Sequence, residues 1–420
     1  MSSPAFSRLV VHDWRQFSHL DIEFHPRLTI ITGSNGAGKS TILKLLSQHF
    51  GVFTTLLATP TFGESGVLTY YSGVWGSLLR IAQQHQGPIV GELTYSDGHA
   101  TAIRVPTSGG IQFNVTFDSM REVVGMNIGS HRPISNYQQV ANIPTNALGP
   151  SQAYQSYFNE VNSRYQNSYT QYSPTYRMKE AIISMAMFGP GNEYVQRNEE
   201  VAKSFEGFKA VLSKILPPSI GFRDISVRVP DVVLETDSGD FVIDAASGGI
   251  MALIDLAWQI FLFSQGRGEF TVLIDEPENH LHPSMQRSLL SALINAFPAA
   301  QFVIATHSPF MVSSVKESLV YALKYEKAGD SVQGQAKNTV RSLRLDSANR
   351  AGSASEILRD VLGVPVTLPE WAEQEIRRIA SSYVLHEITS ETISGLRNDL
   401  DAAGLGEYYP EALRHLAGGL

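Results

Sequence analysis

The chain has 420 residues, no cysteine and a formal charge of −8, with 17% charged and 43% hydrophobic residues. That length allows two or three domains with substantial cores. The absence of cysteine excludes a disulfide framework, a thiolate metal site and a cysteine nucleophile. No apolar run reaches the roughly 18 residues of a membrane helix. The longest, Ile250 to Phe263, is interrupted by Asp255 and Gln259. Met1-Ser2-Ser3-Pro4 does not open a secretory leader, so the expectation is a cytoplasmic protein without a membrane partner. No Lys/Arg block exceeds Arg377-Arg378. A fold could gather scattered arginines onto DNA, but the charge does not support a nucleic-acid partner.

In chain order, Arg8 to Val11 and Leu20 to Phe24 alternate as strands, and Leu28 to Thr32 reads as a buried strand. Gly33-Ser34-Asn35-Gly36-Ala37-Gly38-Lys39-Ser40-Thr41 then fits G-x-x-x-x-G-K-[ST], and Ile42 to Leu46 has the composition of a helix start. Strand, glycine loop and helix form a phosphate cradle. Backbone N–H groups close around the anion and the helix dipole favours it. Lys39 would reach the β- and γ-phosphates, and the Ser40 hydroxyl would hold Mg²⁺. The expectation is a site for a nucleoside triphosphate with Mg²⁺.

A hairpin follows at Val90 to Tyr95 and Ala102 to Val105, with a further strand near Ile111 to Phe117. From Ser135 to Arg177 the composition shifts to Asn, Gln, Ser and Tyr, with seven of the 16 tyrosines. That polar, aromatic stretch predicts a helical insertion outside the core, with partner docking through tyrosines as the functional alternative. Helical patterning continues over Met178 to Met187 and Asn198 to Ile215, and a second hairpin covers Val232 to Asp244.

Ser247-Gly248-Gly249 opens the apolar run at 250 and could be an ordinary helix cap or an anion site. Phe270 to Ile274 is an apolar strand ending in Asp275-Glu276. Beside a phosphate loop, Asp275 is placed to act on Mg²⁺ and Glu276 to polarise an attacking water. Gln301 to Thr306 is another buried strand with His307 at its carboxyl end, the ligand edge of an α/β sheet, which argues for a γ-phosphate contact. Glu278, His280 and His282 invite a metal reading, but their spacing is loose.

These segments, in this order, resemble the ABC-type ATPase superfamily. Gly33 to Thr41 is similar to its Walker A loop, Ser247-Gly248-Gly249 to its signature, Asp275-Glu276 to Walker B, and His307 to its switch histidine. Asp13-Trp14-Arg15-Gln16-Phe17 resembles the N-F-R-x-F start of the OLD/RecF/SMC-like branch. Asp275-Glu276-Pro277-Glu278-Asn279-His280-Leu281-His282-Pro283 and Thr306-His307-Ser308-Pro309 resemble the D-E-P-E-x-H-L-H-P and T-H-S-P segments of OLD-like ATPases. Transporter subunits differ after Walker B and place the signature nearer the loop.

The resemblance implies an α/β P-loop NTPase, an ABC-type ATPase head with a mixed β-sheet core, an antiparallel β flank and a helical insertion. It divides the chain into a Walker A lobe at 1–130, a helical insertion at 131–230, a second lobe at 231–350 and a helical tail at 351–420. It implies ATP hydrolysis in a homodimer or higher homo-oligomer, with two ATP molecules sandwiched so that Ser247 and Gly248 contact the γ-phosphate bound by a second copy. It also implies a Q-loop glutamine on the metal, for which Gln138 or Gln139 is available, Gln138 being preferred. Two features depart from the family: Ala246 replaces the usual leucine before the signature, and Ile250-Met251 replaces the polar residue after it. OLD proteins also carry a TOPRIM nuclease with a D-x-D pair. The tail is too short for one, and Asp399 and Asp401 read as a solvated helix face. The resemblance therefore points to a conformational switch for a separate effector, such as a nuclease, as in bacterial anti-phage defence modules. A RecF/SMC-like DNA-repair ATPase is the alternative.

Overall fold

The computed structural model describes residues 3–62, 68–74, 87–106, 110–131, 136–144, 146–166, 168–327, 338–346, 352–362, 369–383 and 389–417. One eleven-stranded sheet organises the chain. Its order is Thr116–Phe117, Ala100–Arg104, Ile89–Tyr95, Phe6–Trp14, Phe17–Glu23, Asn338–Arg344, Leu319–Lys327, Leu28–Gly33, Ala300–Thr306, Phe270–Asp275 and Gly125–Ile128. The last five run parallel, and the strands from Thr116–Phe117 to Phe17–Glu23 pair antiparallel. This is the α/β class expected from the sequence: a parallel core with an antiparallel flank. Both rims are short, two residues at Thr116–Phe117 and four at Gly125–Ile128.

The central parallel strands have no polar face. All six residues of Leu28–Gly33 and all seven of Ala300–Thr306 are buried, as expected where helices cover both faces. The helix Lys39–Ser47 packs Ile42, Leu43, Leu45 and Leu46 into the core. The helix Gly248–Ser264 is buried on every side from Ile250 to Phe263, so the longest apolar run in the sequence is a central core helix. Its two polar residues are satisfied by one another and by the insertion: Gln259 donates to Asp255 (3.0 Å), and the Tyr157 hydroxyl donates to Asp255. No helix among the described residues is long and apolar enough to cross a membrane.

The insertion supplies the helices Pro150–Tyr165, Pro174–Phe188 and Glu199–Ile215. The last two begin with side-chain caps, Ser173 accepting from the Tyr176 N–H and Asn198 from the Val201 N–H, and their capping residues fix where each starts. Glu199–Ile215 buries Val201, Phe205, Phe208, Leu212 and Ile215, a three-to-four spacing that defines one apolar face. Phe208 meets Trp258 edge to face at 4.7 Å, which locks this helix onto the core helix. A small antiparallel sheet of Phe222–Arg228, Asp231–Thr236 and Phe241–Val242 leads from the insertion to Ser247. The chain divides into compact units Met1–Ile357 and Leu358–Leu420, the first of which holds the sheet and the insertion together. Within the second unit, Asp399 and Asp401 are exposed on the helix Ser390–Ala402, and Asp399 accepts from the Tyr383 hydroxyl at 2.5 Å.

Candidate nucleotide site

The phosphate loop leaves the core strand at Gly33 and enters its helix at Lys39. Gly38 sits at φ 101°, and a Cβ there would lie 2.4 Å from Phe17 Cζ and from Gln16 Nε2. Only glycine fits that left-handed, crowded position. The tip of the first hairpin thus supports the loop from below, which gives Gln16-Phe17 a structural reason to accompany it. The helix has no side-chain cap. Among the described residues, the amides of Gly36, Gly38, Lys39 and Ser40 donate to no backbone acceptor, an arrangement suited to an anion.

Lys39 is 6% exposed, and its ammonium donates to the carbonyls of Gly33 (2.7 Å) and Ser34 (3.3 Å). Burial pushes its pKa down, and the charges of Glu276, Asp275 and Glu278 oppose that shift. Asp275 ends its strand in register with Ala305 of the neighbouring strand. Burial pushes its carboxyl above the usual range, a hydrogen bond from Ser40 opposes this, and the Glu276 charge adds to it. The buried Asp275 Oδ1 has no hydrogen-bond partner. A buried carboxylate oxygen left over beside a serine hydroxyl has the donor chemistry of a Mg²⁺ site, so Ser40 and Asp275 fit the ion.

Glu276 adopts φ 48°, a left-handed conformation that costs a non-glycine residue on the order of 1–3 kcal/mol. Its N–H donates to the Ala305 carbonyl (2.8 Å), which holds this turn against the next strand. The carboxylate accepts from Asn279 Nδ2 (3.2 Å) and lies 3.5 Å from His307 Nδ1. Glu276 and His307 are therefore neighbours.

Two members of this turn have roles that the sequence does not give. Glu278 is a buried carboxylate whose Oε1 accepts from the Thr306 hydroxyl (2.6 Å) and the His307 N–H (2.8 Å). It thereby fixes the end of the strand that carries the histidine. Asn279 also donates to the Ser130 carbonyl (2.9 Å), which ties Glu276 to the segment after Gly125–Ile128. The available signal was the acid three residues after Asp275, at a position a plain strand end does not need. No group of three acidic, histidine or cysteine ligands is found among the described residues. His282 instead caps the helix Pro283–Ala296 by accepting from the Ser284 N–H.

Gln138 is a correction. Its amide is engaged at both ends by the insertion, Nε2 donating to the Gln171 carbonyl (3.0 Å) and Oε1 accepting from the Ser173 N–H (2.7 Å). A side chain so committed is not available to a metal on Ser40 and Asp275. The cavity of about 520 Å³ beside those two residues is lined by Ser130 and His131 from the same stretch, and Gln139 is exposed outside that lining. Gln138 is thus held by the insertion, and Ser130 and His131 are the residues of this stretch that line the cavity.

Ser247 is exposed, and its hydroxyl caps the core helix by accepting from the Ile250 N–H (3.4 Å). A Cβ on Gly249 would lie 2.9 Å from the His280 carbonyl, whereas one on Gly248 would meet nothing. Among the described residues no hydrogen bond links Ser247 to Lys39, Ser40 or Asp275 within one chain.

Fold and site together define a P-loop protein of the ATPase type. Comparison with known proteins agrees. Residues 8–52 match the family model "AAA domain", and residues 212–313 match "AAA domain, putative AbiEii toxin, Type IV TA system". The first match holds the hairpin and phosphate loop; the second holds Ser247, Asp275, Glu276 and His307. The two matches lie in separate stretches of the chain. It is 27% identical over 183 residues to Septu protein PtuA of Bacillus thuringiensis, covering 40% of this chain and 45% of that protein. It is 26% identical over 211 residues to "Retron Ec83 probable ATPase" of Escherichia coli, covering 46% and 38%. The matches thus span less than half the length of these curated relatives. Among solved structures, the "SMC head domain from Thermotoga maritima" aligns over 82% of this chain and 100% of that one, with 13% identity and a TM-score of 0.42.

Proposed function

We propose that the chain is an ATPase that binds ATP with Mg²⁺, dimerises around it and uses hydrolysis to switch a separate effector, in an anti-phage module. The observation that carries the hydrolytic part is the Asp275-Glu276 turn. One acid keeps a buried, unpartnered oxygen beside Ser40, and the next is held in a strained conformation with its carboxylate beside His307. ATP supplies the electrophilic γ-phosphorus. Lys39, released from the Gly33 and Ser34 carbonyls, neutralises phosphate charge, and the free amides of Gly36, Gly38, Lys39 and Ser40 hold the remaining oxygens. Glu276 accepts the proton of an attacking water, while Asn279 and His307 keep its carboxylate oriented. Dimerisation is supported by the exposed Ser247-Gly248 at the start of a helix with no link to its own loop. The effector and the defence setting rest on the resemblance to nuclease-free OLD-like ATPases, and the Septu and retron relatives support the defence setting alone.

The decisive variant is Glu276→Gln, which keeps the Asn279 contact and removes the base. Turnover should fall by about 10²–10⁴-fold, with ATP affinity retained and a dimer persisting in ATP during size-exclusion chromatography with light scattering. Undiminished turnover would remove Glu276 as the base, and a monomer under all nucleotide conditions would remove the sandwich. The DNA-repair alternative instead expects ATP-dependent DNA binding that weakens steeply with salt.

A further inference from the structure

Lys179 lies on the insertion helix Pro174–Phe188 and is 0% exposed. An ammonium is costly to bury unless it is paired and hydrogen-bonded. Lys179 donates to Asp244 Oδ2 (2.7 Å) and to the Gln138 carbonyl (2.6 Å), with Asp231 Oδ1 at 3.7 Å and the Tyr137 ring at 4.8 Å. The Tyr137 hydroxyl in turn donates to Asp231 Oδ2 (3.3 Å). Asp244 Oδ1 and Asp231 Oδ1 are buried and have no hydrogen-bond partner. One cation therefore serves two carboxylates, and removing it would leave both acids uncompensated.

The location of these acids matters more than their energy. Asp244 is in the single 3₁₀ turn Ile243–Ala245, which runs through Ala246 into the Ser247 cap of the core helix. Asp231 begins the strand Asp231–Thr236, whose partner Phe241–Val242 feeds that turn. Gln138, the third partner, binds the N–H of Ser173, the residue that caps Lys179's own helix. The cation is thus the node where the insertion meets the lead-in to the signature. No described bond connects it to the phosphate loop.

We infer that Lys179 is a positioning residue for Ser247: its ion pair with Asp244 sets where the signature stands when a second copy presents its nucleotide. This rests on the proposed in-trans completion of the site. It assigns the Tyr/Asn/Gln-rich insertion a task, to hold the half of the site that serves the partner copy. Loss of the cation releases the 3₁₀ turn and displaces Ser247, while the chain's own Lys39, Ser40 and Asp275 stay in place.

The test is subunit mixing with full-length chains, read as ATP turnover. Lys179→Met alone should bind a fluorescent ATP analogue within about twofold of wild type yet hydrolyse ATP roughly tenfold or more slowly. Mixed with Lys39→Ala, whose signature is intact, it should recover about a quarter of the wild-type rate per chain, since half the dimers are mixed and each has one complete site. Mixed with Ser247→Arg, which lacks the same half, it should stay inactive. Ser247→Arg mixed with Lys39→Ala is the control. If the control recovers and Lys179→Met with Lys39→Ala does not, Lys179 is not a positioning residue for the signature. Full activity of Lys179→Met alone would overturn that role equally. If the control itself fails to recover, in-trans completion is wrong and the inference falls with it. Asp244→Asn, nearly isosteric and uncharged, repeats the series should Lys179→Met not fold, with the same outcomes deciding.

Discussion

The two halves of the nucleotide site are built in opposite ways. The phosphate half is buried and over-determined: Gly38 is wedged on Phe17, Lys39 is held by two carbonyls, and Glu278 pins the strand end that carries His307. What it leaves unsatisfied are the polar groups a nucleotide and Mg²⁺ would take, including Asp275 Oδ1. The signature half is exposed, and its one hydroxyl is spent on capping its own helix. Under the proposed in-trans completion, a site pre-organised on one side and unfinished on the other would bind its ligand alone and need a second copy to react.

The largest expected effect is on the finished half. Lys39→Ala removes the buried cation and should weaken ATP binding by about a hundredfold or more, as isothermal titration would record. Retained affinity would mean the loop amides suffice and the halves are less different than their burial implies. Ser247→Arg should separate the halves more sharply. ATP affinity stays within about twofold while turnover falls roughly tenfold, since the new side chain blocks a surface that only another chain needs. A loss of affinity in that variant would place Ser247 on its own chain's nucleotide.

The smallest effect is on stability. The fold holds the Asp275 carboxyl above its ordinary range, chiefly by burial. A carboxyl raised in the folded state disfavours folding once pH exceeds its unfolded value, so this group makes the ligand-free protein more stable as pH falls through that range. Asp275→Asn should therefore raise the ligand-free melting midpoint at pH 7 by about 2 °C while abolishing stabilisation by Mg²⁺ with ATP. A lower midpoint would show that the Ser40 hydrogen bond outweighs the cost of burial.

The finished half was legible because its chemistry is local. Gly33 to Thr41 is contiguous, and Asp275-Glu276 and His307 end strands whose apolar composition is plain. Ser130 and His131 were not legible as site residues, because the sheet brings them beside Ser40 from a segment with no motif of its own. Glutamine was sought there by type, and the insertion's unsatisfied backbone had already claimed Gln138. Lys179 sits in Met178-Lys179-Glu180, where a lysine reads as a solvated helix position; only the fold reveals the two aspartates that allow its burial. The strands Gly125–Ile128, Leu319–Lys327 and Asn338–Arg344 also escaped the sequence reading. The first is only four residues, and the others carry charges within the strand, Lys324 and Glu326 in one and Arg341 in the other, at a depth that tertiary pairing decides.

The short rims of the sheet carry a consequence for assembly. A protein that recruits another by lending it a sheet edge needs a run of open backbone groups, and such runs also invite aggregation. Here an incoming strand would find two residues at Thr116–Phe117 and four at Gly125–Ile128. Neither rim offers enough ladder to recruit by augmentation. Recognition at the rims of this sheet has to be written in side chains, and so can be rewritten one residue at a time.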